Sequence, residues 1–439
     1  MNGSLNEFYE KAALLGHDTD KLAAGETVIS YGTFASLLEG RRLLSMATDA
    51  QRVARQQSFF NPPLQARQRL GQGIHDRGEA LVFADGVLLD GDHQGIGNHM
   101  PAHIKAISVL QKTIPAGEVW DVSVRGEAWG IDDMEELYTA VNVGELIIGP
   151  GAKLIVRGNV FSLLCQRLVC LPPTGDGTDD YQLGILPTPF SVDNKNGDMD
   201  GGGGADGLHG GQGVDGKQAH VSSSILGYTL THDITEEAMC GSDGGDGKDG
   251  APGIHGRNGG MCKLAEITVR NLEGRLAVFA QAGQGGNGGR GGDGGDGGHG
   301  GHGAQGYKLI RKTLNAGTGG KGGNAGSGGK GGMGGNGGLA SNIYINLPTG
   351  QQSQVSCIAL ASHGGYGGRG GKAGVAGHAG LGGKGVIPGA DGLASEAGTD
   401  GKDGMDGRSR PAPWMFVNEQ RRTGETVLVE APQMAASYQ

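Results

Sequence analysis

Composition and periodicity point to a mainly β and irregular chain in three parts: a helical N-terminal cap, a right-handed β-solenoid-like domain and a bundle of polyglycine II helices. Three observations carry this. Glycine supplies 92 of the 439 residues and proline only 15, too much glycine for an average globular domain and too little proline for a collagen. In six tracts the glycines recur at every third residue, the period of the polyproline II conformation. Before and between the tracts lie short runs that alternate apolar and polar residues and turn at glycine, the pattern of half-buried strands.

Residues 1–78 read as the helical cap or attachment region. Ser4 and Glu7 have the spacing of a capping box ahead of Phe8, Ala12 and Leu15, and a longer helix is expected from Thr33 to Phe59, stopped by Pro62-Pro63. On that helix Phe34, Leu37, Leu38, Leu44, Met46 and Val53 cover one broad face, ringed by Arg41, Arg42, Arg52 and Arg55. Such a face must pack on something, either the next domain or a partner or neighbouring copy. Residues 79–196 carry the runs Ile114–Val124, Val141–Val156 and Val160–Val169. They read as rungs of a β-solenoid, each coil burying its inward side chains on the next; a β-sandwich is the alternative.

Residues 197–407 hold the six tracts, and 408–439 a C-terminal strand and tail. In 283–306 two glycines separate each of Gln284, Asn287, Arg290, Asp293, Asp296, His299 and His302. The tract at 317–338 repeats this, and that at 364–385 does so with Ala373, Ala376 and Ala379 in one glycine phase. Tracts 201–216, 241–260 and 389–407 keep one glycine in three. A polyproline II helix has no internal hydrogen bonds, so its backbone groups must be satisfied by neighbours, and faces without a Cβ let neighbours come close enough. The third residue then faces solvent or a partner. At ~3.1 Å per residue a 24-residue tract would reach about 75 Å, and the expected course is two antiparallel legs returning the chain to the next rung. Strands are expected at 218–240, 262–282, 307–316, 339–362 and 424–430. A collagen triple helix, with only Pro252 and Pro388 in or beside the tracts, a flexible linker and calcium-binding nonapeptides are the alternatives; in the last, Gly298 stands where an aliphatic residue belongs.

A net charge of −10 argues against nucleic-acid binding. No apolar run approaches the ~20 residues of a membrane helix, so no membrane insertion is expected. With no secretory signal visible at Met1, the expected location is extracellular or virion- or surface-associated by another export route, and the cytoplasm stays open. No cofactor is expected. The chain has no GxSxG and no Walker sequence, and its GxGxxG matches are products of the glycine period. Asp90, Asp92, His93, His99 and His103 are metal-ligand types that one loop could gather; the competing reading is a solvated polar loop. Asp132, Asp133, Glu135 and Glu136 could form a carboxylate pair for glycoside cleavage, or Asp132 and Glu135 a helix cap. Cys165 and Cys170 sit in an apolar run and read as core, whereas Cys240 and Cys262 flank one tract and would meet in a disulfide if it runs out and back. His299 and His302 read as a solvated edge. His363, Tyr366, Arg369 and His378 are the candidate contact surface, aromatic or charged groups set among small residues.

At these tracts, over about 197–407, the chain resembles the polyglycine II proteins, among them the receptor-recognising adhesins at the tips of T-even phage tail fibres and the snow flea antifreeze protein. The resemblance to the adhesins implies an N-terminal attachment domain and a glycine-helix sandwich whose connecting loops meet the receptor; the connectors here are longer and richer in β pattern. The expected function is therefore non-enzymatic, a fibre subunit or surface-recognition module. Its partners would be a fibre or second copy at the N-terminal region and a surface receptor or glycan. An ice-binding protein is the first alternative, against which Arg290, Asp293, Lys321, Lys330, Arg369 and Lys372 interrupt any flat uncharged face. A solenoid polysaccharide enzyme using the acidic cluster is the second.

Overall fold

A computed structural model describes residues 2–60, 82–84, 100–131, 136–172, 181–188 and 199–422. The N-terminal region is less purely helical than expected. It comprises α1 (Asn2–Leu14), α2 (Thr19–Ala23), β1 (Val28–Phe34), α3 (Leu37–Leu44) and α4 (Asp49–Phe60). Thr33 and Phe34 belong to the strand, paired with His103 and Ala102, so the single long helix becomes a strand and two helices. The capping box belongs to α3. Ser36 Oγ accepts from Glu39 N at 3.3 Å while Glu39 Oε2 reaches one residue past the N-cap to accept from Ala35 N at 2.8 Å, a variant of the reciprocal cap. Ser4 instead lies inside α1, and the Glu7 carboxylate is bound by Arg270 and Gln166. The apolar face also divides: Phe34 and Leu44 are buried, whereas Leu38 and Val53 are exposed. Pro62 and Pro63 lie outside the described residues.

The remaining elements are β2 (Ala102–Ile114), β3 (Val119–Asp121), β4 (Leu137–Ile148), β5 (Lys153–Arg157), β6 (Val160–Cys170), β7 (Leu183–Leu186), β8 (Val221–Ser224), β9 (Gly227–Leu230), β10 (Ala265–Val269), β11 (Leu272–Glu273), β12 (Leu276–Gln281), β13 (Tyr307–Lys308), β14 (Thr313–Leu314), β15 (Ile343–Asn346), β16 (Val355–Leu360), β17 (Met415–Val417) and β18 (Gln420–Arg422). The long sheet runs β1-β2-β4-β6-β10-β15-β17-β18, with β11 also on β6; a second runs β16-β12-β7-β5-β3. From β2 to β17, and throughout the second sheet, neighbours are parallel. The chain alternates between the two sheets, β2 then β3, β4 then β5, β6 then β7, and so on to β15 then β16. The sheet therefore crosses every boundary expected at residues 78, 196 and 407. The expected strand at 424–430 lies outside the described residues.

Register stacks like on like. Ile107, Val141, Leu163, Ile267, Ile345 and Val417 follow one another across the long sheet, and Leu154, Leu183, Val278 and Cys357 across the second. All are buried in one apolar core, each aliphatic side chain contributing about 1.5–3 kcal/mol by its removal from water. On the outer face of the long sheet, α1 covers β4 and β6 with Phe8 and Ala12. Arg55 is buried there, its guanidinium 3.3 Å from Glu266, 2.9 Å from Glu419 and 4.1 Å from the Tyr344 ring centroid.

After β7, β12 and β16 the chain leaves the sheets as a pair of glycine-rich legs and comes back to β10, β15 and β17. We number them legs 1 to 6: 200–217, 240–260, 283–306, 317–338, 363–384 and 389–408. They are extended backbone outside any helix or sheet ladder, and each tract makes one straight pass; two consecutive tracts, rather than one folded tract, form each excursion. Odd legs lie side by side in one layer: Gly204 N donates to Arg290 O at 2.8 Å, and Gly291 N to Arg369 O at 2.9 Å. Even legs form the other layer, with Gly250 N on Ser327 O and Gly331 N on Lys402 O, both at 2.9 Å. Across the layers the direction reverses, as where Gly292 N meets Ala251 O and Gly329 N meets Gly292 O. Each of these bonds recurs at every third residue, which answers where unpaired extended backbone satisfies itself.

Legs 3 and 4 are enclosed on both sides, and they are the tracts with two glycines in three. At Gly295 a Cβ would collide with the Leu208 carbonyl oxygen, and at Gly326 with that of Lys248. Leg 1, at the flank, needs one glycine phase only and carries Ala205, Leu208 and Val214 on its outer edge. The single pass also separates Cys240 from Cys262 by the whole of leg 2, about 60 Å at ~3.1 Å per residue. All five cysteines are free thiols, so the expected disulfide is not formed.

Two expectations follow. Gly295→Ala should lower the melting temperature sharply, since overpacking costs about 1–3 kcal/mol of stability or more, whereas Gly211→Ala, with nothing within 4 Å of the added carbon, should leave it unchanged or slightly raised; thermal denaturation of the two variants checks this. Arg55→Ala leaves Glu266 buried without its cation and should cost about 3–5 kcal/mol in chemical denaturation.

Candidate functional site

The third-position side chains do more than face solvent. In legs 1 to 4 they accept the backbone N–H of the third-position residue on the next leg of the same layer. Asp206 Oδ1 takes Asp293 N at 2.7 Å, and Asp293 Oδ1 takes Lys372 N at 2.7 Å. Gln212 Oε1 takes His299 N at 2.8 Å, and His299 Nδ1 takes His378 N at 2.9 Å. In the other layer Asp246 serves Asn324 N, which in turn serves Glu396 N. Rows without a short acceptor break the rule, among them Gly203 before Arg290, Arg290 before Arg369, Pro252 before Lys330, and Lys321, Lys330 and Met333 before Leu393, Lys402 and Met405. Short acceptors such as Asp, Asn, Gln and His are the residues that can reach a neighbour's N–H from this position. The expectation that the third residue faces solvent or a partner is extended accordingly. The signal was present in the sequence, in the short acceptors that recur along the first three tracts.

Legs 5 and 6 have no successor in their layers, and there the acceptors give way to Tyr366, Arg369, Lys372, Val375 and Leu381 on leg 5 and Leu393, Lys402 and Met405 on leg 6. The aspartates of leg 6 turn to another task. Asp391, Asp400, Asp403 and Asp406 accept the outward N–H groups of Gly382, Ala373, Gly370 and Gly367 at 2.7–2.8 Å. The expected contact residues His363, Tyr366, Arg369 and His378 thus share one exposed stripe along leg 5, released from the acceptor duty. His378 stacks on His299, ring centroids 5.0 Å apart.

At the end of the bundle away from the sheets, three connectors meet. Strands β8 and β9 join leg 1 to leg 2 through a two-residue turn, Ile225-Leu226, closed by the Ser224–Gly227 pair. Strands β13 and β14 join leg 3 to leg 4 through Ile310-Arg311, with Leu309 N on Lys312 O. Leg 5 passes to leg 6 through Val386-Ile387. The turns are tied together: Ile310 N donates to Tyr228 O at 3.1 Å and Ala316 N to Ile387 O at 3.2 Å. Beneath them Ala219, Met239, Ala304, Leu309 and Leu314 form a small core. Two-residue hairpin turns ordinarily take Asn-Gly or a similar pair, yet here Ile225 is 106% and Leu226 84% exposed. Folding does not call for aliphatic residues at such an apex.

Of the candidate metal ligands, Asp90, Asp92, His93 and His99 lie outside the described residues. His103 sits in β2 with its ring against Trp129. Among the described residues no group of three His, Cys, Asp or Glu could hold a metal ion. Asp132, Asp133 and Glu135 also lie outside them, and Glu136 is buried. Burial pushes the Cys165 and Cys170 thiols up to about 12 and Cys357 to about 11, so all three are protonated near neutrality and behave as core residues. Among the described residues no helix is long and apolar enough to cross a membrane.

No family model and no curated protein matches the chain. Among solved structures it is similar to the springtail antifreeze protein of Granisotoma rainieri, described as a nine polyproline type II helical bundle, at 29% identity. That match covers 36% of this chain and 94% of the other, with a TM-score of 0.07.

One acceptor, Asp293, carries a pH signature. The N–H of Lys372, and then the Arg290 guanidinium, hold the Asp293 carboxyl below its ordinary value. A depressed carboxyl contributes stability that is whole above the unfolded value, ~3.9, and is lost as pH falls through the folded one. The melting temperature should therefore fall on acidification below about pH 4. Asp293→Asn, which keeps the accepting oxygen and drops the charge, should flatten that fall in melts recorded from pH 7 to pH 3.

Proposed function

We propose that the chain is a non-enzymatic recognition module, in which six polyglycine II helices carried on a β-solenoid hold a contact surface away from an anchored base. What supports the glycine-helix reading is the bond from leg to leg at every third residue, together with the absence of room for a Cβ at the enclosed positions. What supports the solenoid reading is the alternation of the chain between two parallel sheets. The N-terminal helices, already packed on the long sheet, leave Leu38 and Val53 exposed for a fibre partner or second copy.

The single observation that carries the recognition reading is the distal end. Three turns that folding would fill with Gly, Asn or Asp instead present Ile225, Leu226, Ile310, Val386 and Ile387 to water. Contiguous exposed apolar residues on a soluble surface mark an interaction site. Leg 5 continues the same surface through Leu381, Val375 and Tyr366, all exposed. The charged rows, Arg290 and Asp293 among them, do not suit a flat ice-matching face.

The test is binding of the labelled full chain to a panel of intact bacterial cells. We expect saturable binding to some of them, reduced at least tenfold by Ile225→Asp with Ile387→Asp, while the melting temperature stays that of the parent. A chain that binds no cells and forms no filaments under the electron microscope, or that depresses freezing with hysteresis, would count against the reading.

A further inference from the structure

Resting on that reading, the chemistry of the distal end narrows what it meets. We propose that it docks on an anionic phospholipid bilayer, the three turns seating their aliphatic apexes among the acyl chains and the cations behind them meeting headgroup phosphates. The contact is interfacial and spans nothing.

Two features of the turns lead there. Their apolar residues are convex apexes, supplied by three separate segments and standing clear of the small core that holds the turns together. Aliphatic apexes so exposed fit a soft, deformable apolar medium. The charge then selects among such media. Lys308, Arg311, Lys312 and Lys384 are exposed on the same segments, and the stretches 224–230, 307–316 and 384–390 contain no Asp or Glu at all. On a chain whose net charge is −10, the three turns themselves carry four cations and no carboxylate, and the acidic residues of the connectors, Asp233, Glu236 and Glu237, sit on the return stretch from β9 to leg 2. Gly306 N bonds Lys384 O at 2.8 Å and Tyr228 bridges to Leu309, so the cations and the apexes move as one body. Long basic side chains can lay their stems along an apolar surface and keep their charge at the level of the phosphates. Cations near an anionic leaflet and apolar groups sunk below it add to each other in holding a protein at the interface.

Co-sedimentation of the full chain with vesicles tests this. We expect binding to vesicles of phosphatidylcholine with phosphatidylglycerol, at least tenfold weaker to phosphatidylcholine alone, and weakened as salt is raised. Ile225→Ser with Leu226→Ser, and separately Arg311→Glu with Lys312→Glu, should each lower binding at least tenfold at an unchanged melting temperature. Val386→Ser with Ile387→Ser supplies an independent turn should either pair disturb the fold. A parent chain that stays in the supernatant with anionic vesicles, or apex variants that bind them as well as the parent, overturns the proposal. Cell binding separates the two levels. If the apex variants abolish cell binding while the parent ignores vesicles, the partner is a protein or glycan receptor and only the lipid inference fails. If cell binding survives every apex substitution, the recognition reading of the tip fails with it.

Discussion

The close approach of one extended backbone to the next is what everything else in this molecule answers to. An N–H can reach the carbonyl of a neighbouring leg only if no Cβ stands between them, so glycine in the enclosed tracts is a steric requirement. The spacing of these bonds along the chain is inherited from the sheets. Asp243 serves Lys321 with a separation of 78 residues, and Ala265 of β10 pairs with Ile343 of β15, again 78 positions on. Asp293 serves Lys372 at 79, the step from Leu276 to Val355; Asn324 serves Glu396 at 72, the step from Ile343 to Met415. From leg 2 onward one register runs from the buried strands out along the legs; legs 1 and 3 step by 87, against 95 from Leu183 to Val278. The apolar ladders of the sheets set it, and hydrogen bonds that would be worth little singly in water are then made in parallel by chains already held side by side.

That register also explains the division of side chains among the legs. A third-position residue on leg 1 or 2 has a neighbour's N–H waiting beside it, and Asp, Asn, Gln or His is chosen to take it. On legs 5 and 6 nothing waits. The choice there is free of that demand, and large apolar and basic residues enter. The change of composition between the first and last legs is therefore informative about function in a way that the composition of any one leg is not.

Much of this was legible beforehand because it rests on periods. A period of three marked the tracts, and a period of two marked β3 to β6, β10 and β12, since each states locally what a residue's two or three faces must do; β2 was not marked. What escaped depends on which segments become neighbours. Ser36 and Glu39 form a capping box as plainly as Ser4 and Glu7 could, and only the pairing of Thr33 and Phe34 with β2 decides between them. Arg55 looked like one of several cations around an apolar face, yet it lies between Glu266 and Glu419, more than two hundred residues away. The exposed turn apexes could have been suspected from sequence: Ser-Ile-Leu-Gly-Tyr and Gly-Val-Ile-Pro-Gly place aliphatic pairs where turn formers stand. A run of strand-like residues hides such a turn until its register is known.

The stacking has defined ends, and they bear on where contact with other molecules can occur. The long sheet stops in an antiparallel strand at each side, β1 and β18, and the outward N–H groups of leg 5 are taken up by Asp391, Asp400, Asp403 and Asp406. At the other flank leg 1 carries Ala205, Leu208 and Val214 on its outer edge, while Asp200, Asp206 and Asp215 are turned to the N–H groups of leg 3, and Asp243, Asp246 and Asp249 of leg 2 to those of leg 4. The broad faces of the first four legs are occupied with holding their neighbours. What remains free of that duty is the distal end, whose three turns carry exposed aliphatic residues and four cations.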